Sequence, residues 1–426
     1  MNEKIGALRS FLDGAHSFFH SVAEMTRQLD QAGYTRLIES EDWALIPGGK
    51  YYINRGGSSV LAFRVPRCTP VGYMMSATHC DYPTFRVKVN GQLCGAYIRM
   101  ATERYGGMIL APWLDRPLSV AGQAMVETEN GIETRLVDID RDLVLIPSVA
   151  IHMNPKINEN TSLNVAVDMI PLLGGPACKD LLDRELEQAA GGKLLGADLY
   201  LYVRQRSSVW GLKNEFISAP GLDDLLCVWG CLEGFLQAGD SCSIPVMAVF
   251  DSEETGSNSR QGADSTMLAT VLTRISRSLG VDHDRMLANS MLVSADMAHA
   301  LHPNHPEYAD PANAPVMNGG VVMKFNASKN YVTTGLSAAL FRKICAKADV
   351  PLQVFHNRAD IKGGSTLGYI SMNHVSVPSV DVGLAQLAMH SSYETAGVKD
   401  PFYLETAMQT YFGCSLETDG ETYVLN

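Results

Sequence analysis

The spacing of apolar residues divides the chain into regions of different character. In the first thirty residues, Phe11, Phe18, Val22, Met25 and Leu29 recur at roughly three- and four-residue intervals. This spacing places apolar side chains on one face of a helix. The pattern predicts a helical N-terminal segment that packs on the rest of the protein.

The middle of the chain has the pattern of short strands. Between about Arg86 and about Lys213, apolar runs are separated by Gly, Pro, Asn and Asp; they are QLCGAYIRMA, GGMILAPWL, AMVETENGIETRLVDI and DLVLIPSVAIHM. Runs of this length between turn-forming residues are typical of strands. We therefore expect a β-rich domain to be inserted at residues 86–213.

The remainder alternates between helical and strand patterns. From Asp223 onward, the helical stretches DDLLCVWGCLEGFLQAG and SRQGADSTMLATVLTRISRSLG alternate with the apolar runs IPVMAVF and NSMLVSADM. Such alternation predicts an α/β sheet with helices on its faces. Residues 1–85 and 214–426 are expected to form this domain together.

Composition agrees with a packed, two-domain protein and excludes several partners. A chain of 426 residues exceeds what one hydrophobic core usually supports, and 46% apolar with 19% charged residues is ordinary globular composition. The net charge is −12 and Lys and Arg are scattered, which argues against nucleic acid as a partner. No apolar run approaches the roughly twenty residues of a membrane helix, so no membrane association is expected.

The cysteines and the N-terminus indicate a cytoplasmic protein. The N-terminal stretch lacks the uninterrupted apolar core of a signal peptide. The nine cysteines are odd in number and show no CxxC spacing, so reduced thiols are expected.

Candidate chemistry lies where apolar runs end. His79 and Asp81 follow one such run, and one intervening residue places both on the same face of extended backbone. Imidazole ligates zinc well, and a nearby carboxylate can orient the ring, although such a pair also arises often by chance. Asp223 and Asp224 begin a helical pattern, where an acid is equally explained as a helix cap.

A third run, IPVMAVF, leads directly into Asp251, Glu253 and Glu254. Clustered carboxylates beside a buried strand repel one another and lose solvation unless cations or protons compensate. One glutamate could ligate an ion while the other acts as general base toward a water whose pKa the ion lowers. The ordinary alternative is a solvated helix start.

Two further apolar runs end in Asp296 and in His390. If the chain turns helical after Asp296, His299 and His302 share one face, as they would on an ordinary surface helix. A lone histidine such as His390 is usually structural. Taken together, the five segment ends nevertheless supply the ligands expected of a two-ion site at one edge of a sheet, namely His, Asp, Glu, Asp and His.

The same segments resemble the successive signatures of the aspartyl aminopeptidase family over about residues 70 to 401. They are HCDYPTFRVK, YGGMILAPWLDRPLSVAG, IPSVAIHMNPKINEN, EFISAPGLDDL, FDSEETGSNSRQGADS, SADMAHALHPN, GGSTLGYI and AMHSSYETAGVKD. The resemblance implies an α/β zinc-peptidase domain interrupted by a β-rich dimerisation domain. It also implies assembly into a large homo-oligomer, commonly a dodecamer, that acts on peptide substrates.

The resemblance assigns roles residue by residue. The ligands that it implies for two zinc ions per subunit are His79 and Asp296 for one, Glu254 and His390 for the other, and Asp223 for both. Glu253 resembles the general base, and Asp81 would orient His79. The substrate contacts that it implies are His299, Lys324, Tyr331 and, reaching into a neighbouring subunit, His152.

This chain departs from the family pattern at positions that are not ligands. The family's usual Ser is Tyr82, a common Thr is Cys80, a common Arg is Gly221 and a common Asn is Asp224. The family favours N-terminal Asp or Glu, which a cation such as Lys324 would support. A broader two-metal aminopeptidase, an amide deacylase and a non-enzymatic assembly protein are the alternatives. Cobalt or manganese would suit the same ligands as zinc.

Overall fold

A computed structural model describes residues 2–159, 162–361 and 363–426 of the chain. Its helices are α1 (Asn2–Gly14), α2 (Phe18–Gln31), α3 (Leu181–Ala190), α4 (Leu222–Gln237), α5 (Met267–Leu279), α6 (His283–Ala288), α7 (Gly335–Lys347), α8 (Leu367–Ser371) and α9 (Asp400–Phe412).

The strands of the first half are β1 (Thr35–Arg36), β2 (Lys50–Arg55), β3 (Ser59–Arg64), β4 (Tyr73–His79), β5 (Thr84–Leu93), β6 (Ile98–Tyr105), β7 (Leu118–Thr128), β8 (Gly131–Asp138), β9 (Leu172–Gly174), β10 (Leu194–Val203) and β11 (Ser208–Trp210). Those of the second half are β12 (Phe216–Ala219), β13 (Ile244–Phe250), β14 (Met291–Ala295), β15 (Ala298–His299), β16 (Val321–Phe325), β17 (Leu352–His356), β18 (Ser379–Gly383), β19 (Ala385–Leu387), β20 (Glu394–Gly397), β21 (Leu416–Thr418) and β22 (Tyr423–Leu425).

The main sheet is mixed and lies between two helical layers. Its strand order is β1-β2-β3-β13-β4-β14-β18-β16-β17, and β13, β4, β14 and β18 run parallel. Met74 packs with the core that contains α2, α4 and α9, whereas Met75 packs with the core that contains α5. Successive residues of a strand point to opposite faces, so a strand apolar at every position is buried on both. The predicted α/β fold with a mixed sheet flanked by helices is confirmed.

A second sheet occupies the region in which an inserted domain is predicted. Its order is β8-β7-β10-β5-β6-β9, and a separate apolar cluster lines it, including Phe85 and Leu201. Two of the predicted strands are wrong: residues 111–113 of GGMILAPWL form a 3₁₀ helix, and DLVLIPSVAIHM contributes isolated bridges and a turn. Helix α3 is an addition that its amphipathic spacing could have indicated. The boundaries 1–85, 86–213 and 214–426 stay a prediction.

A third sheet carries part of the site. Its order is β11-β12-β20-β19-β15, and Ala219 of β12 pairs with Glu394 of β20. This register places the chain that enters α4 beside the chain that leaves the β19–β20 loop.

The N-terminal segment forms two helices rather than one. It breaks at residues 15–17, and the predicted apolar face is buried, with Phe11 in α1 and Phe18 and Val22 in α2. Within the part of the chain that the structure describes, no helix is long and apolar enough to cross a membrane.

The expectation that all the cysteines are reduced is wrong for one pair. Cys68 and Cys242 form a disulfide with their Cα atoms 5.9 Å apart. They lie 174 residues apart in sequence, so local spacing gives no sign of the pairing. Because β3 and β13 are neighbouring antiparallel strands, the end of one meets the start of the other. A Cα separation near 5.9 Å is within the normal range for a disulfide.

Candidate metal centre

Three neighbouring parallel strands deliver predicted ligands to one edge of the main sheet. His79 is the last residue of β4, Asp296 follows β14, and Glu254 lies in a 3₁₀ helix, Glu253–Thr255, just beyond β13. Since β13, β4 and β14 are adjacent and parallel, their carboxyl ends meet. This is the edge at which α/β sheets generally bind ligands.

The two other predicted ligands arrive from outside the main sheet. Asp223 lies in the first turn of α4 with non-helical φ and ψ angles, and its peptide bond to Asp224 is cis. His390 lies in the loop between β19 and β20. Both segments belong to the third sheet or adjoin it, and this sheet brings them over the ends of β4 and β13.

The five side chains form two groups that share Asp223. Nε2 of His79 lies 3.6 Å from Oδ1 of Asp223 and 3.9 Å from Oδ1 of Asp296. Nε2 of His390 lies 3.5 Å from Oδ2 of Asp223 and 3.4 Å from Oε1 of Glu254. In each group the possible ligand atoms lie within 4.8 Å of one another. The two oxygens of Asp223 therefore face different groups.

The side chains at this edge of the main sheet carry an excess of negative charge, which bound cations would balance. Carboxylates outnumber the nearby cationic or imidazole side chains, which are Lys324, His79, His299 and His390; the carboxylates are Asp81, Asp223, Asp224, Glu253, Glu254, Asp296 and Glu394. Among the described residues, Oδ1 of Asp223 and Oε1 of Glu254 are buried without a hydrogen-bond partner. A buried oxygen in this state is costly unless an ion satisfies it. Imidazole and carboxylate donors fit zinc, so the residues present suit the metal.

Burial and crowding shift the proton affinities of these groups. Burial raises the pKa of Glu253 to about 8, and Asp296 and Asp81 reinforce the rise. For Asp223, burial favours the neutral acid, but the imidazoles of His390 and His79 hold its pKa below the ordinary value. Bound cations would favour the charged form of every carboxylate here.

Asp81 holds the backbone that carries the two glutamates. Its Oδ1 accepts the N–H of Glu253 and its Oδ2 the N–H of Glu254, both at 3.1 Å. Oδ2 also accepts the hydroxyl of Tyr105 at 2.8 Å. The ring of His79 contacts Asp81 mainly through the Asp81 carbonyl, 3.0 Å from Nδ1, whereas the carboxylate is 3.5 Å away. The carboxylate is thus better placed to position Glu253 and Glu254 than to orient His79.

A cavity of about 310 Å³ opens beside the two groups. Its walls include the predicted base Glu253 and three predicted substrate contacts, His299, Lys324 and Tyr331. His152 is not among its lining residues in the described part of this single chain, and lies exposed in a turn. Its predicted reach into a neighbouring subunit remains a prediction.

Lys324 is buried and held by the protein. Its Nζ donates to the carbonyls of Asp296 and Met297, at 2.8 and 3.1 Å, and lies 3.6 Å from Oδ2 of Asp296. The ammonium group therefore holds the backbone at the predicted ligand Asp296 and also lines the cavity.

The segment after Asp296 is not helical. Ala298 and His299 form β15, and His302 lies exposed beyond it, so the two histidines do not share a helix face. A turn of helix is replaced here by pairing with β19.

Two departures from the family pattern contact each other. Gly221 has φ +62°, and a Cβ there would lie 2.8 Å from Cδ1 of Tyr82. The Tyr82 ring thus occupies the space next to residue 221, and its hydroxyl donates to the carbonyl of Ala15. A side chain at position 221 would therefore collide with the Tyr82 ring.

Glu394 also lies at the site, although it is not among the residues predicted from the sequence. It is 1% exposed, and its carboxylate contacts the backbone of two predicted ligands. The only sequence signal was its place four residues after His390 in AMHSSYE.

Comparison with known protein families agrees with this geometry. A family model described as aminopeptidase I zinc metalloprotease (M18) matches residues 11–412. The chain is 42% identical to the probable M18 family aminopeptidase 2 of Clostridium novyi, over 93% of this chain and 95% of that protein. It is 37% identical to the protein of the same name from Pseudomonas entomophila, over 95% and 97%.

Solved structures share the fold. The structure of the Ape4 and Nbr1 complex has a chain that matches with a TM-score of 0.92 at 32% identity, over 96% of this chain and 85% of that one. The S. cerevisiae mApe1 dodecamer matches with a TM-score of 0.85 at 26% identity, over 96% of both chains.

Proposed function

The chain belongs to the aminopeptidase I zinc metalloprotease (M18) family and is a zinc-dependent aminopeptidase, and from this premise we propose that it uses two zinc ions and prefers peptides with N-terminal Asp or Glu. The observation that carries the two-ion proposal is the placement of Asp223. One of its oxygens faces His79 and the other faces His390 and Glu254. A carboxylate so placed can ligate two ions at once.

The ligand roles follow from the two groups. His79 and Asp296 would hold one ion, Glu254 and His390 the other, and Asp223 both. When bound, the ions would polarise the scissile carbonyl and lower the pKa of the attacking water. Cobalt or manganese suits the same donors, and availability would decide between them.

Glu253 is proposed as the general base. It lines the cavity but belongs to neither ligand group, so its carboxylate is free to take the proton of the attacking water. The same carboxyl group can then donate that proton to the departing amine. Asp81 supports this role because it holds the backbone N–H of Glu253.

The preference for acidic N-terminal residues rests on the cavity wall. Lys324 is a buried cation there, and His299 and Tyr331 add polar groups. A buried cation attracts an acidic side chain more strongly than an exposed one, because little solvent screens it. The two carbonyl contacts of Lys324 fix its position, and the Asp296 carboxylate, 3.6 Å from Nζ, offsets only part of the positive charge, because Asp296 is also a proposed metal ligand.

Steady-state hydrolysis of Asp, Glu, Leu and Lys chromogenic amides tests this function in zinc-loaded wild type and Glu253→Gln. We expect cleavage of the acidic amides and, in the variant, a loss of most turnover with zinc content unchanged. Faster cleavage of Leu or Lys amides would leave a broader aminopeptidase. Turnover of N-acyl amino acids alone would favour the deacylase, and a fully zinc-loaded protein that cleaves nothing would favour the non-enzymatic assembly.

Self-association into a dodecamer is proposed as well. Ile151 and Met153, which flank His152, are 53% and 80% exposed, and Val149 and Val167 lie nearby in sequence and are also exposed. Exposed apolar side chains in one segment are typical of an interface. Light scattering should give twelve times the chain mass of 46.3 kDa. A cytoplasmic location stays a prediction.

A further inference from the structure

A single buried carboxylate joins the two ligand segments that come from outside the main sheet. Oε2 of Glu394 accepts the N–H of Asp223 at 2.9 Å, and Oε1 accepts the N–H of His390 at 2.6 Å. The side chains of the same two residues also meet, with Nε2 of His390 3.5 Å from Oδ2 of Asp223. Glu394 itself belongs to neither ligand group.

The position of Glu394 is set by strand pairing. It begins β20 and pairs with Ala219, four residues before Asp223. On its other side, the short loop from β19 returns the chain from His390 to the same strand. The carboxylate thus starts from a paired strand and reaches one ligand segment with each oxygen.

The His390 segment needs such support. His390 has φ +65° and Ala388 has φ +56°, a left-handed conformation that is unfavourable for residues other than glycine. The N–H of His390 points toward Glu394 in this conformation. The hydrogen bond from the N–H of His390 to Oε1 of Glu394, at 2.6 Å, therefore helps to hold the segment in this conformation.

We propose that Glu394 is a positioning residue that sets the separation of Asp223 and His390, and so the affinity for the ion that these two residues share. The inference rests on the proposed two-ion function. A purely structural role would predict a loss of stability without a specific loss of metal.

The Glu394→Gln variant tests this inference. Glutamine keeps one acceptor oxygen but presents an amide N–H₂ to the second backbone N–H, so one of the two segments loses its partner. Loss of a partner that orients a ligand typically weakens metal binding about ten- to hundredfold. We expect one of the two ions to bind that much more weakly while the other is retained.

Asp400→Asn is the matched control. Asp400 is also a buried carboxylate that accepts two backbone N–H groups, from Asn318 at 2.6 Å and Gly320 at 3.0 Å, but it belongs to neither ligand group. The variant should hold both ions with wild-type affinity. Glu394→Asp keeps the charge but is one methylene shorter, so it should reach only one segment and also lose affinity.

The measurement is zinc bound per chain after dialysis against chelator-buffered zinc, with circular dichroism to verify folding. The inference is overturned if folded Glu394→Gln binds both ions as the wild type does, or if Asp400→Asn weakens binding equally. Should Glu394→Gln not fold, Glu394→Asp is judged by the same criterion. A wild type that never binds two ions would instead refute the proposed function, and this result needs no variant.

Discussion

Replacement of Asp81 by Asn tests whether the backbone of the two glutamates must be held for catalysis. The carboxylate accepts the N–H groups of Glu253 and Glu254 and the hydroxyl of Tyr105. Asparagine has nearly the same shape but only one acceptor oxygen. In either orientation of its amide, one of the two backbone N–H groups faces another donor.

The size of the effect follows from the lost contact. A hydrogen bond to a charged acceptor contributes about 1.5–3 kcal/mol, and a buried donor left without a partner costs a similar amount. If this cost appears as displacement of Glu253 or Glu254 from the reacting geometry, kcat should fall about ten- to hundredfold, at about 1.4 kcal/mol per tenfold. KM should change less, because Asp81 is not among the residues that line the cavity.

The assay is steady-state hydrolysis of an N-terminal Asp amide at saturating zinc, with the bound metal measured in parallel. Tyr105→Phe is the control, because it removes one hydrogen bond to Asp81 but leaves both backbone N–H groups with their acceptor. Its kcat should change by less than about threefold. An Asp81→Asn variant with wild-type kcat at full zinc occupancy, or an equal loss in Tyr105→Phe, would refute the reasoning.

Three further predictions concern stability. Burial lowers the pKa of His20 to about 4, despite the opposing charge of Asp138. The unfolded chain therefore binds a proton at His20 more readily than the folded protein does. As the pH is lowered below about 6.5, the free energy of unfolding falls. Denaturant titrations should show about 2 kcal/mol less stability at pH 5 than at pH 7 from this group, a part that His20→Gln abolishes. Gly234→Ala places a Cβ 2.7 Å from that of Met408 where α4 crosses α9, so it should cost about 1–3 kcal/mol. Gly6→Ala, in open space on α1, should instead stabilise by about 0.5–1 kcal/mol, and equal effects in both would contradict the packing argument. Zinc removal by a chelator should lower the unfolding temperature, and returning zinc should restore it. At a zinc concentration a thousand times the dissociation constant, the lost stabilisation corresponds to about 4 kcal/mol. An unchanged unfolding temperature would argue that the folded protein does not bind zinc.

Asp224 lies next to a predicted metal ligand and not in the cavity wall. It is fully buried, and its Oδ2 faces the backbone N–H of His79 at 3.4 Å. Its Oδ1 has no hydrogen-bond partner within the described part of the chain. The carboxyl group therefore lies behind His79, away from the cavity walls, so the change from Asn to Asp at this position bears on the metal ligands rather than on direct substrate contact.

Much of the fold, and the candidate metal ligands, could be predicted from the local sequence. The strands IPVMAVF and MLVSA are apolar at nearly every position, and the helix from Leu222 is largely apolar, because both faces of the main sheet and most of α4 are buried. An apolar run that leads directly into Glu253, Glu254 or Asp296 can be recognised from the sequence alone. Desolvating such acids is unfavourable, so their presence at a strand end already required an explanation.

What tertiary structure alone decided are the relations between distant segments. The pairing of Cys68 with Cys242, the proximity of Tyr82 to Gly221 and the hydrogen bond between Glu394 and the Asp223 backbone join residues far apart in the chain. The local spacing of apolar residues indicates which side chains are buried. It does not indicate which other residues they contact. The β15 pairing, which rules out a helix directly after Asp296, has the same origin, because it depends on a remote partner strand that local spacing does not identify.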